Sequence, residues 1–193
     1  MSASAFLKTI TARRTHYALK NTLPEGVTID NVQSIVQDIV KYTPTSFNSQ
    51  SIRAIIITGE LHKKVWDQVV NAIEGDSGKK RPTSIRDEAY GSVIFAIDSD
   101  VTKKFQEQFA FIASLFPDFD LTSNGAAQIN SWAALQEIGL GGHLQHYNAA
   151  VKAALGDKIP ESWNVEAQLV FGTPVSQPYE KTFIENEVKV LDQ

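Results

Sequence analysis

The sequence predicts a layered domain of the α+β or α/β kind. Stripes of apolar residues at helical spacing recur along the chain. Short runs rich in β-branched residues lie between them, far apart in sequence. One long stretch is almost free of charge and belongs at the centre of the layers. The chain has 193 residues, 42% of them hydrophobic and 21% charged. That profile suits a folded soluble protein of one domain, or one domain with arms.

Phe6, Leu7 and Ile10 recur one turn apart, so residues 4 to 13 read as a short helix ending near Arg13 and Arg14. Thr28 is suited to cap a second helix with the stripe Ile29, Val32, Ile35, Val36, Ile39 and Val40, which Pro44 stops. Ile52 to Thr58 reads as a buried strand. Leu61, Val65, Trp66, Val69, Val70 and Ile73 mark a third helix, and Glu74 to Thr83, with its Gly, Pro and alternating charges, reads as a mobile loop. A second strand is expected at Ser92 to Ile97. A helix over 100–116 should carry Phe105, Phe109, Ile112 and Phe116.

Ser123 or Asn124 is expected to cap the central helix, whose inner face is Ala127, Trp132, Ala133, Leu135 and Ile138 and which ends at Gly139-Leu140-Gly141-Gly142. Glycines there permit positive φ and close backbone approach. Leu144 to Leu155 reads as helix, and Val165 to Phe171 alternates as a third strand ended by Gly172-Thr173-Pro174. The last residues carry Phe183, Ile184, Val188, Val190 and Leu191 but no self-sufficient pattern, which suggests docking on a partner subunit.

Composition narrows the function. A net charge of -4 and a pI of about 5.6 make nucleic acid or an anionic membrane an unexpected partner. The chain has no cysteine, which excludes disulfides, thiolate metal sites and cysteine nucleophiles. No N-terminal signal pattern is visible, and no apolar run approaches the ~18 residues of a membrane span.

Two polar clusters carry the chemistry. Arg13-Arg14-Thr15 offers two guanidinium forks and a hydroxyl, suited to a phosphate, or else forms an ordinary basic helix end. Pro44-Thr45-Ser46-Phe47-Asn48-Ser49-Gln50 offers hydroxyls and amides that suit the edge of a polar heterocycle, or else forms a solvated turn. His143 and His146 could share a helix face, yet neighbouring carboxylates for a zinc site are absent. No nucleophile elbow and no phosphate-binding P-loop is present.

In order and spacing these pieces resemble the FMN-dependent nitroreductase family, in its short fungal branch. The resemblance rests on four motifs. They are the helix into Arg13-Arg14-Thr15, the loop 44–50, the Gly-Ala-rich helix ending in Gly139-Leu140-Gly141, and Phe171-Gly172-x-Pro174 followed by Lys181. The segment from Lys80 to Ser92 looks like the fungal branch in particular.

The resemblance covers nearly the whole chain and implies a single domain, an α+β three-layer sandwich around a mainly antiparallel sheet. It implies a homodimer with an exchanged C-terminal arm, about 174–193, and an FMN at the interface touched by both chains. Arg13, Arg14 and Thr15 match phosphate and ribityl contacts, with Tyr17 beside them and Lys181 at the phosphate. Thr45, Ser46, Asn48 and Gln50 match the loop that reaches the flavin of the other subunit. Arg86 matches a cation near the flavin N1 and O2 edge, and Gly141 and Gly142 lie beside the ring. No catalytic side chain is implied, because the flavin carries the chemistry.

The implied reaction is ping-pong, with NAD(P)H as reductant and a small nitroaromatic or quinone as oxidant. A cytoplasmic and also nuclear place and a role in oxidative stress are likewise implied. A flavin-sequestering regulatory protein with little turnover is the alternative. Three departures stand out. Tyr17 occupies a position that is often basic, Phe183 stands where a second basic residue often follows Lys181, and the stretch between Ile97 and Asn124 is short.

Overall fold

The computed structural model describes residues 4–192. Its helices are α1 (Ser4–Ala12), α2 (Ile29–Tyr42), α3 (Gly59–Ala72), α4 (Asp76–Glu88), α5 (Ser99–Gln108), α6 (Phe116–Glu137) and α7 (Asn148–Leu155). Its strands are β1 (Leu19–Lys20), β2 (Ile52–Thr58), β3 (Gly91–Asp98), β4 (Gly141–Gln145) and β5 (Trp163–Pro174). The order across the sheet is β1-β5-β3-β2, β4 also pairs with β5, and every pairing is antiparallel. This is an open antiparallel sheet between helices, the expected α+β architecture.

Strand alternation sends side chains to two cores. Val93, Phe95, Leu169 and Phe171 pack with Val32 and Val36 of α2 and with Ala127, Trp132 and Leu135 of α6. Ile94, Val170 and Val165 pack on the other face with Val65, Trp66 and Val69 of α3, Ile85 of α4 and Val151 and Leu155 of α7. Val165 and Val170 share a face although one is odd and the other even. The reason is a bulge: Phe95 pairs with Ala167 and Ala96 with Val165, so Glu166 is the extra residue that shifts the alternation. Asn124 Nδ2 donates to the Ala96 carbonyl at 3.0 Å and Asn148 Nδ2 donates to the Glu166 carbonyl at 2.8 Å, so both sides of the bulge are satisfied.

Several expectations are corrected. Residues 76–83 are not loop but the first turns of α4. Gly75 turns the chain at φ 78, Asp76 places an acid in the first turn, and burial of Pro82 and Ile85 holds the helix against its own poor composition. The stretch 100–116 is broken at Phe109 (φ -123, ψ 55), followed by a 3-10 segment over Ala110–Leu115. The break lets Phe109 stack on Phe47 at 4.3 Å between centroids. Central helix α6 starts at Phe116, so neither Ser123 nor Asn124 caps it. Asn124 is fully buried at the bulge instead. Residues 144–147 are not helical, because the free edge of β5 recruits 141–145 as a strand. The short β1, which no pattern announced, pairs with the end of β5.

Other readings stand. Thr28 caps α2 through a reciprocal box with Asn31. From Val175 to Asp192 the chain has no regular structure, and Phe183, Ile184, Val188, Val190 and Leu191 are each more than 80% exposed.

Candidate functional site

The end of α1 delivers Arg13, Arg14 and Thr15 to the C-terminal end of α6. The Arg13 guanidinium lies 4.2 Å over the Trp132 ring. Burial first, then the neighbouring charge of Arg14, lowers its pKa from the usual arginine value. Arg14 is anchored through its backbone N–H, which donates to Gln136 Oε1 at 2.8 Å, while its guanidinium donates to the Tyr179 carbonyl. The His16 N–H donates to the Gly142 carbonyl at 2.9 Å, which fixes residues 13–17 beside the start of β4.

The glycines of that strand are required by packing. A Cβ on Gly141 would lie 2.8 Å from Pro174, and one on Gly142 would lie 2.7 Å from the Val170 carbonyl. Of Gly139, Gly141 and Gly142, Gly139 alone has positive φ, at 89°. The buried Trp132 Nε1–H, 3.6 Å from where a Cβ on Gly142 would lie, has no hydrogen-bond partner among the described residues.

A cleft of about 260 Å³ opens here, lined by Thr15, His16, Tyr17, Arg81, Glu88 and residues 176–179 of the arm. The Tyr17 ring packs 5.3 Å from the buried His143 ring on one side and carries the Arg81 guanidinium 4.2 Å above it. Burial, then the Arg81 charge, lowers the His143 pKa to about 3, so the ring is neutral and its Nδ1 accepts from Gln145 Nε2 at 3.0 Å. The cleft is rich in donors and holds a single carboxylate, that of Glu88, so its chemistry fits an anion such as a phosphate or an electron-rich ring edge.

Lys181 is exposed two residues beyond Tyr179, its ammonium 5.2 Å over Phe183. Arg86 is not brought to the cleft. It pairs with Asp87 and with Asp67 of α3, both at 2.8 Å, and these carboxylates raise its pKa further. Arg81 is the cation that the sequence reading missed. Its signal was hidden because the segment looked like loop, whereas a helix from Asp76 points Arg81 and Arg86 about 140° apart.

The loop 44–50 lies elsewhere. Phe47, Asn48 and Gln50 have φ of 56°, 53° and 53°, a conformation that non-glycine residues rarely adopt. It is held by Thr45 Oγ1 accepting from the Gln50 N–H at 2.9 Å, by Arg53 donating to the Gln50 carbonyl at 2.7 Å, and by the Phe47 ring on Phe109 and Phe116. Ser46 is half-buried and Asn48 exposed. Phe47 meets α6 at Phe116 and Arg13 meets it at Trp132, points about 24 Å apart along the helix at 1.5 Å per residue. Within one chain the two polar clusters therefore do not converge on one cleft.

Among the described residues no group of His, Asp and Glu could hold a metal ion, and no helix is long and apolar enough to cross a membrane.

A sequence model described as the nitroreductase family matches residues 10–175. HBN1 of Saccharomyces cerevisiae, named a nitroreductase only provisionally, is 61% identical over 193 residues that make up all of both chains. A crystal structure of a nitroreductase from Saccharomyces cerevisiae is 50% identical, with a TM-score of 0.86, 92% of this chain and 100% of that one covered. The Lactococcus lactis nitroreductase CinD, solved with chloramphenicol, is 36% identical with a TM-score of 0.84 over 94% and 95% of the two chains. A Desulfovibrio desulfuricans protein solved in complex with FMN shares the fold at 17% identity, with a TM-score of 0.69 over 97% and 100% of the two chains.

Proposed function

The chain belongs to the nitroreductase family, and from that premise we propose that it is an FMN-dependent oxidoreductase that uses NAD(P)H to reduce nitroaromatic or quinone-like acceptors. The observation that carries this reading is the donor-rich cleft next to β4, which Thr15 lines together with the arm and where the Arg14 guanidinium donates to the Tyr179 carbonyl. Bound FMN would supply the redox chemistry, taking a hydride from the nicotinamide and giving it to the acceptor.

The protein's own part is to bind and to orient. Arg13, Arg14 and Thr15 hold the phosphate, with Lys181 approaching from the arm. Trp132 fixes the direction of Arg13, and Gly141 and Gly142 let β4 pack tightly against Pro174 and β5 beside residues 13–17. Donor and acceptor take turns in one open cleft, which gives the ping-pong order. The complexes of CinD with chloramphenicol, nicotinic acid and 4-nitrophenol support flat aromatic molecules as the class of ligand.

In the same reading the site is built by two chains, and Ser46, Asn48 and Gln50 serve the flavin of a second copy. The separation of the two clusters along α6 supports this. So do exposed Phe6, Leu7, Leu121 and Ile129 and an apolar groove between α1, α2 and α6. The apolar arm docks on the partner, and the free edge of β2 with its adjoining groove under α2 is the place it fits.

The test is direct. Purified protein should be yellow, bleach with NADH or NADPH without oxygen, and regain colour on addition of a nitroaromatic. Colourless protein that rejects added FMN would sink the reading. Flavin that binds but is not turned over would favour the sequestering role.

A further inference from the structure

We propose that Ser84 on α4 is a phosphorylation site for a serine/threonine kinase that selects basic residues ahead of its target, and that the added phosphate draws Arg81 off Tyr17 and out of the cleft. The modification stands apart from the FMN reading above, while its effect on ligand binding rests on that reading.

Lys79, Lys80 and Arg81 are consecutive cations, and Thr83, Ser84 and the apolar Ile85 follow Pro82. Arg81 thus stands three residues before Ser84, a charge pattern by which such kinases choose a hydroxyl. None of these cations has a carboxylate within ion-pair distance among the described residues. In the helix they also surround the hydroxyl. Residues three and four apart share a face, so Arg81 and Lys80 lie beside Ser84. Arg81 Nη1 already donates to Ser84 Oγ at 3.3 Å. Lys79, Lys80, Thr83 and Ser84 line one open hollow. Asp87 shares it but is paired with Arg86 at 2.8 Å, which leaves exposed Asp76 and Glu88 as the opposing charges.

Ser84 is half-buried, and Pro82 and Ile85 are buried, so α4 must peel from α3 before a kinase can read the segment in extended form. The helix is weakly enough built to do so. No side chain caps it at Gly75, and Pro82 inside it denies the Gly78 carbonyl a partner. In the transfer, Ser84 Oγ attacks the γ-phosphorus of ATP. The Oγ–P bond forms, the bond from that phosphorus to the β,γ-bridging oxygen breaks, ADP leaves, and the hydroxyl proton passes to the kinase's base. When α4 closes again, a group of about two negative charges lies one turn from Arg81. That anion attracts the guanidinium more strongly than the Tyr17 face 4.2 Å away. The cleft wall then carries an anion in place of a free cation, and an anionic ligand binds there less tightly.

The test uses the folded full chain, ATP and the catalytic subunit of cyclic-AMP-dependent protein kinase as a kinase of this selectivity, with tandem mass spectrometry to place the phosphate. One phosphate on Ser84 is expected, absent from Ser84→Ala. Arg81→Gln should slow its transfer about tenfold, the loss of one charge-assisted contact. In NMR spectra the Tyr17 ring signals of the phosphoprotein should move towards those of Arg81→Gln, and its dissociation constant for FMN should rise about tenfold. The proposal is overturned if phosphate enters only at Thr83 or elsewhere, if it enters only after denaturation, if Arg81→Gln is modified as fast, or if phosphorylated Ser84 leaves the Tyr17 signals in place. An unchanged FMN constant in a phosphoprotein whose Tyr17 signals move would overturn the effect on binding. If the unmodified protein takes up no FMN, the FMN reading fails, while the mass spectrum and the Tyr17 signals still decide the modification and the movement of Arg81.

Discussion

The Arg13 guanidinium is held over the Trp132 ring at 4.2 Å, and no carboxylate pairs with it among the described residues. Arg13 is thus aimed by an aromatic face while its charge stays free. Arg13→Ala should weaken FMN binding by at least ~1.5 kcal/mol, the loss of a charge-assisted hydrogen bond. Fluorescence titration measures it, and an unchanged dissociation constant would remove Arg13 from the phosphate site.

Mixing chains tests where the loop acts. In a mixed dimer of Arg13→Ala and Asn48→Ala chains, a site shared between chains leaves one centre with both lesions and one with neither. One tightly bound FMN per mixed dimer is expected. A site built within one chain would leave two impaired centres and none intact. Flavin stoichiometry on tag-selected mixed dimers distinguishes the two.

Asn124→Ala should destabilise the protein by ~1–3 kcal/mol, because the Ala96 carbonyl at the bulge loses its buried donor. Urea unfolding reads the loss. A change below ~0.5 kcal/mol would mean that the bulge is satisfied some other way.

Acid should act through the buried histidines. Burial lowers the pKa of His62, whose ring nitrogens meet the Ile85 carbonyl and Ser92 Oγ, and burial followed by the Arg81 charge lowers that of His143 to about 3. His143 stays neutral in the folded state down to about 3 and protonates below about 6.5 when unfolded, and His62 is shifted in the same direction. The unfolded state therefore binds more protons, and stability falls as pH drops from 6.5 towards 3, by up to ~1.4 kcal/mol per unit for the His143 ring. Glu166, whose burial raises its pKa, opposes the trend. His143→Gln should flatten the slope between pH 6.5 and 4.5, and an identical slope would show that His143 does not contribute to it.

Local signals were readable in the sequence where local forces decide. The Thr28 cap, the α2 stripe and the β-branched run at Ile52 to Thr58 all form as their own residues prefer. Those that failed depend on distant partners. Segment 76–83 is helical because Pro82 and Ile85 are buried, and residues 141–145 are a strand because β5 offers an edge. Asn124 resembles a cap by its chemistry, but its partner is a carbonyl on β3.

The site divides in the same way. Residues 13–16 lie beside the glycines because the His16 N–H bonds the Gly142 carbonyl and the Arg14 N–H bonds Gln136, contacts between segments that each carry a motif. Arg81 could not be found from spacing, because its place depends on a helix that the composition disguised. Arg86 looked equally suitable until Asp67, distant in sequence, claimed it.

The 24 Å of α6 between the Phe47 and Arg13 contacts also bears on abundance. In the two-chain reading, a complete centre needs an encounter, so loading with FMN and association of chains are linked equilibria. Dilution below the dimer dissociation constant would release flavin as well as separate subunits. The specific activity of a cell's supply would then rise with the amount of protein it makes, steeply at first and flattening once every chain has a partner.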